Sequence, residues 1–294
     1  MSTALEPSVS YLVCATPRSG STLLCEALSG LAGRPAEYFE AMYDTGLPRR
    51  PTDYFEGLRA IPAASFLADQ LPTEGGEARE ALSQAATYRD YLAWVLRTGT
   101  TPNGVFGAKL MWGHVDHLVA YLRDLREHAG KPLPQMLDDV FPWLRHLRVL
   151  RRDRVRQAVS LWKALQTATW RVDRSRAGDE ATAREREPQF SFDAIDYLQR
   201  QITAQEAAWA NYFEENGIEP LTIVYEELVE SFEETLDRVL AFLDVPAVER
   251  TVPELAMSRQ SDSTSEEWVE RYHRGETVRA ATTAARRCAR ETEA

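Results

Sequence analysis

The stretch from Tyr11 to Leu28 constrains the fold of this chain more than any other. An apolar run, Tyr11-Leu-Val-Cys-Ala15, breaks at Pro17-Arg18-Ser19-Gly20 and resumes as Thr22-Leu23-Leu24-Cys25-Glu26-Ala27-Leu28. The pattern predicts a short buried strand, a tight turn and the first turns of a helix. Such a turn aims several backbone N–H groups at one point, and the helix N-terminus adds positive potential, so the turn is a pocket for an anion. Gly20 lets the backbone approach closely, Ser19, Ser21 and Thr22 offer hydroxyl donors, and Arg18 brings a permanent charge on a planar donor fork. A serine-capped helix after a strand would give the same pattern without a ligand. The stretch is not a Walker A loop, because Ser21 follows Gly20 where that motif requires lysine.

The rest of the composition narrows the context. The 294 residues carry a net charge of -11, which argues against general binding to nucleic acid or to an anionic membrane. An anion site in such a protein must be a local basic island. The three cysteines, Cys14, Cys25 and Cys288, make no disulfide or metal-ligand framework, and no metal site is expected. No apolar run approaches membrane-spanning length and residues 1–10 lack the pattern of a signal peptide, so a cytoplasmic protein is expected. Alternation of strands and helices predicts a three-layer α/β/α architecture around a central, mostly parallel sheet, in a single domain over 1–294 whose tail, 277–294, is a frayed helix.

Three further segments carry candidate chemistry. Gly33-Arg34-Pro35-Ala36-Glu37-Tyr38-Phe39 sets an acid between turn residues and two aromatic rings. Read alone, Glu37 is either a base at the pocket edge or a solvated acid. Gly104 to Trp112 predicts a second strand with Lys109 near its carboxyl end, placed to reach the same anion or to snorkel from the strand edge. A helix is expected from His114 to His128. The third segment, His146 to Trp162, predicts a strand, an arginine-rich turn and an amphipathic helix. Cations are disfavoured at a helix N-terminus unless an anion sits there, so this turn is the basic island. Arg152 and Ser160, eight apart, can point at one phosphate.

These segments, in this order, resemble bacterial sulfotransferases of the trehalose 2-sulfotransferase family, which use 3′-phosphoadenylyl sulfate (PAPS). Pro17-Arg18-Ser19-Gly20-Ser21-Thr22 is similar to their 5′-phosphosulfate loop, although many sulfotransferases have lysine at the position of Arg18. The Glu37 segment is similar to the stretch that carries the family's proposed general base. Arg152 and Ser160 match the pair that holds the 3′-phosphate, and Tyr225-Glu226-Glu227-Leu228 matches a late-strand motif. The resemblance implies a P-loop-like sulfotransferase fold with PAPS as donor and no metal. It also implies a carbohydrate acceptor, trehalose at its 2-position, and a homodimer. In this reading Glu37 and Arg18 are catalytic. Arg18, Ser19, Gly20, Ser21, Thr22, Lys109, Arg152, Ser160 and Arg259 contact the cofactor, and Lys163, Gln166 and Trp170 flank nucleotide or acceptor. Two rivals are a P-loop-type kinase or nucleotide hydrolase, for which Asp153 is the metal-binding aspartate on offer, and a binding module without turnover. The lengths around 70–82 and 171–188 depart from the family and leave open a different glycoside or secondary-metabolite hydroxyl as acceptor.

Overall fold

Residues 7–42, 50–71, 76–170, 187–246 and 263–292 are described by a computed structural model of the chain. Contacts divide the chain into two compact units, each assembled from three stretches. Residues 1–49, 72–152 and 202–256 form the first, and 50–71, 153–201 and 257–294 the second.

The first unit is built on four parallel strands: β1 (Val9–Ala15), β2 (Val105–Met111), β3 (Leu144–Leu150) and β4 (Leu221–Val224), in the order β2-β1-β3-β4. The apolar runs of β1 and β2 are buried along their whole length, as a parallel sheet covered on both faces requires. β1 ends where Thr16-Pro17 removes a backbone donor from the ladder. Its helices are α1 (Ser21–Leu28), α2 (Gly76–Gln84), α3 (Tyr88–Gly99), α4 (Val115–Arg123) and α5 (Leu133–Val140). The second unit has α6 (Arg154–Thr167). The helix α7 (Phe192–Glu215) contributes to both, α8 (Tyr225–Glu230) and α9 (Phe232–Phe242) return to the first, and α10 (Ser263–Thr292) belongs to the second.

The pleat sorts the two faces of the sheet. Leu12, Cys14, Phe106, Ala108 and Leu110 share one face with side chains of α3, α4, α5 and the end of α7, among them Tyr91, Leu118, Met136 and Trp209. Full burial of each large apolar side chain there contributes about 1.5–3 kcal/mol. The other residues of the same strands, Tyr11, Val13, Gly107 and Lys109, stand in register on the opposite face, where α1 packs on β1 and on α9. Helices therefore cover both faces, as expected for an α/β fold.

The sequence expectations differ from the structure in two places. The helix expected over His114–His128 is shorter and ends at Arg123, followed by a 3₁₀ turn at Arg126–His128. The helix α5 was not anticipated; its mark is Pro134 in its first turn followed by Met136, Leu137 and Val140, which are buried on one side. The last helix, α10, runs to Thr292, and its Trp268, Val269 and Tyr272 are buried.

Candidate active site

β1 and β3 are neighbours, and the chain leaves the carboxyl end of β1 toward β2 on one side and that of β3 toward β4 on the other. A crevice at such a divergence is where open parallel sheets bind ligands. The loop at that point is drawn tight by the Ser19 N–H, which donates to Thr16 O at 3.3 Å. Arg18 and Gly20 have φ of 63° and 91°, and Gly20 is the N-cap of α1 without a side-chain hydrogen bond to the helix. The first N–H groups of α1 thus face the loop rather than a capping side chain. Ser19 is fully buried, and its Oγ finds no hydrogen-bond partner among the described residues. Leaving a buried hydroxyl unanswered costs about 1–3 kcal/mol, and a phosphoryl or sulfuryl oxygen is an acceptor suited to it. The loop therefore fits a phosphosulfate by its donors and by its backbone.

The Glu37 segment is laid along the outer edge of β2. Ala36 bridges Ala108, and the Lys109 N–H donates to Ala36 O at 2.9 Å. The approach depends on two glycines. Gly33 has φ of 74°, and a Cβ there would sit 2.5 Å from Gly107 N. Gly107 in turn leaves room for the Tyr11 ring, whose hydroxyl donates to Ala32 O at 2.5 Å. Thr101 Oγ1 accepts from Gly33 N at 2.9 Å, and Tyr38 donates to Arg34 O at 2.7 Å, so the segment is anchored at both ends. Glu37 Oε1 then meets Lys109 Nζ at 2.5 Å, the two side chains being 11% and 4% exposed. Lys109 Nζ also lies 3.4 Å from Thr22 Oγ1 in the first turn of α1. Carboxylate, ammonium and loop hydroxyl thus form one chain of contacts at the end of the sheet. Glu37 is not a solvated acid.

The strand ends of β3 and β4 complete this side of the unit. Arg151 follows β3 and lies 4.8 Å from the centre of the Tyr225 ring, while its Nη1 donates to Arg18 O at 3.5 Å. Tyr225 opens α8 and packs against Gly20, where an added Cβ would come within 2.3 Å of Tyr225 Cδ2. Arg152 donates its backbone N–H to Glu226 Oε2 at 3.1 Å, and its guanidinium pairs with Glu227. The Arg152 side chain stays 61% exposed, so its remaining donors face solvent. The acids of the Tyr-Glu-Glu-Leu stretch orient the arginine turn. Sequence reasoning missed the aromatic link between Tyr225, Gly20 and Arg151. It also missed Gly33 and Gly107, although a lone glycine inside a strand is a signal for close backbone approach.

Other candidates lie in the second unit. Ser160 is half-buried on α6. Asp153 caps that helix, accepting from Arg156 N at 2.8 Å and pairing with Arg156 Nη1 at 2.6 Å. Lys163 donates to Ser265 at 3.1 Å, and Trp170 lies 5.9 Å from the Tyr54 ring. Gln166 lines a cavity of about 340 Å³ with Ser65, Phe66 and Gln189. Its amide is committed to the backbone, donating to Gln189 O at 3.0 Å and accepting from Gln189 N at 2.7 Å. Arg259 and residues 171–186 lie outside the described residues.

Among the described residues no helix is long and apolar enough to cross a membrane, and no group of three or more His, Cys, Asp or Glu could hold a metal ion. Two curated relatives are similar over nearly the whole chain. The Trehalose 2-sulfotransferase of Mycolicibacterium smegmatis is 36% identical over 90% of this chain and 94% of its own. The Trehalose 2-sulfotransferase of Mycobacterium tuberculosis is 34% identical over 92% and 96%. The crystal structure of sulfotransferase STF9 from Mycobacterium avium is 14% identical with a TM-score of 0.42, covering 92% of this chain and 69% of that one, a likeness too loose to carry weight. The profile of the Stf0 sulphotransferases matches residues 10–275. With that match and two relatives above 30% identity, the chain belongs to the Stf0 sulphotransferase family.

Proposed function

We propose that this protein transfers a sulfuryl group from PAPS to a hydroxyl of a carbohydrate, with the 2-position of trehalose as its acceptor. The observation that carries the reading is the buried carboxylate of Glu37, set by the β2 edge next to the anion loop and linked to it through Lys109 and Thr22. The trehalose acceptor rests on the names of the two relatives. PAPS supplies the sulfuryl group and departs as adenosine 3′,5′-bisphosphate. Glu37 takes the proton of the acceptor hydroxyl as its oxygen bonds to sulfur and the bond from sulfur to the 5′-phosphate oxygen breaks, leaving the electron pair on that oxygen. Arg18, the N–H groups at the start of α1 and the hydroxyls of Ser19, Ser21 and Thr22 hold the charge that builds on the transferring and leaving oxygens. Arg152 is assigned to the 3′-phosphate on its exposed guanidinium. Ser160 is assigned to it on sequence spacing, as is Arg259 as a further cofactor contact. A single catalytic domain working as a homodimer in the cytoplasm completes the reading.

Calorimetric binding of adenosine 3′,5′-bisphosphate against ADP, with a chelator present, tests the donor class. Preference for the bisphosphate is expected, and equal or tighter ADP binding would put nucleotide phosphoryl chemistry first. Glu37→Gln should keep bisphosphate affinity and lower transfer to trehalose by about 10²–10⁴-fold; full activity would remove Glu37 as the base.

A further inference from the structure

We infer that Lys109 is a positioning residue for Glu37 rather than a cation held for the donor. The inference deepens the reading of Glu37 as the base and rests on it. A carboxylate can accept the acceptor's proton only while it is ionised, and burial by itself drives a carboxyl toward its neutral form. Glu37 is 11% exposed, so it needs a partner to remain charged. Lys109 supplies that partner at 2.5 Å and is itself 4% exposed. With both charges withdrawn from water, the ammonium and the carboxylate neutralise each other. The pair as a whole then offers little net charge to a phosphosulfate.

The strand geometry supports the same division of labour. Lys109 stands opposite Val13 in the β1–β2 register, two residues before β2 ends, on the face that α1 covers. Its backbone N–H binds Ala36 O at 2.9 Å, so the residue that pairs with Glu37 also holds the Glu37 segment in place. Through Nζ it reaches Thr22 Oγ1 at 3.4 Å, which sets the carboxylate at a defined distance from the loop. Lys109 thus fixes both the charge and the aim of Glu37.

A double-mutant cycle in single-turnover transfer to trehalose, with bisphosphate calorimetry on every variant, tests this. Lys109→Met should keep bisphosphate affinity within about threefold, which also shows that the variant folds, while its transfer rate falls about 10²-fold. Lys109→Arg, which keeps the charge, should recover most of that loss. In the Glu37→Gln background, Lys109→Met should change the rate by less than about twofold, because the group it acts through is already gone. If Lys109→Met does not fold, Lys109→Gln takes its place in the cycle. An equal loss in both backgrounds, or a tenfold weaker bisphosphate, would show that Lys109 acts on the donor directly and would overturn the inference alone. A fully active Glu37→Gln would remove the base reading and the inference together.

Discussion

Gly20→Ala is the substitution in which loop, sheet end and aromatic packing meet. The residue has φ of 91°, a left-handed conformation that costs an L side chain about 1–2 kcal/mol. The new Cβ would sit 2.3 Å from Tyr225 Cδ2 and 3.1 Å from Cε2, well inside contact distance. The ring has to move, and Arg151 stacks on it at 4.8 Å while holding Arg18 O, so the displacement reaches the loop backbone. Overpacking of this kind costs about 1–3 kcal/mol, and the two terms together come to about 2–5 kcal/mol. Urea titration measures this as a lowered unfolding midpoint at unchanged slope. A Tyr225→Ala background separates the contributions, since there the clash is gone and only the backbone cost of about 1–2 kcal/mol remains. Bisphosphate affinity should fall in Gly20→Ala as the loop amides lose alignment. A Gly20→Ala protein within about 0.5 kcal/mol of the parent, or one with the same loss in both backgrounds, would refute the packing argument.

Other substitutions separate the parts of the site. Gly33→Ala places a Cβ 2.5 Å from Gly107 N and should push the Glu37 segment off β2, lowering turnover while bisphosphate calorimetry stays near the parent value. Arg152→Ala removes an exposed ion pair with Glu227, so urea stability should move by less than about 1 kcal/mol. Loss of a charge-assisted phosphate contact should nonetheless weaken the bisphosphate about 10–100-fold by calorimetry, and unchanged affinity would remove the 3′-phosphate assignment. His146 on β3 is buried against Tyr212 and Phe213, and burial holds its imidazole down to about 4 from an ordinary 6.5. The unfolded chain therefore binds the proton first, and this site's share of stability, present above pH 6.5, is lost as pH falls toward 4. His146→Phe should show a shallower loss of stability across that window in pH-dependent urea unfolding, and an identical slope would count against the burial account.

The strand, turn and helix start around Gly20 were legible because their physics is local. Strand, breaking residues, glycine and helix start lie within one stretch, and their meaning depends only on neighbours along the chain. The basic turn at Arg151 and Arg152 was legible for the same reason, because arginines at a helix start conflict with the dipole unless something answers them. Lys109 stood as an anion contact or a snorkelling lysine, and its pairing with Glu37 belongs to neither reading. That pairing joins residues from separate segments, and nothing in the composition of either one specifies it.

The sequence by itself determined the parallel α/β class, the loop after β1 and the identity of the charged groups, since these follow from periodicity, turn chemistry and residue type. Only the tertiary structure decided that Glu37 is buried against Lys109 and that Tyr225 bridges Gly20 and Arg151. The physical reason is that side-chain pairing across a sheet edge depends on strand order and register. Those are settled by burial over the whole unit, with Ala36 set beside Ala108 because Gly33 and Gly107 permit two backbones to touch.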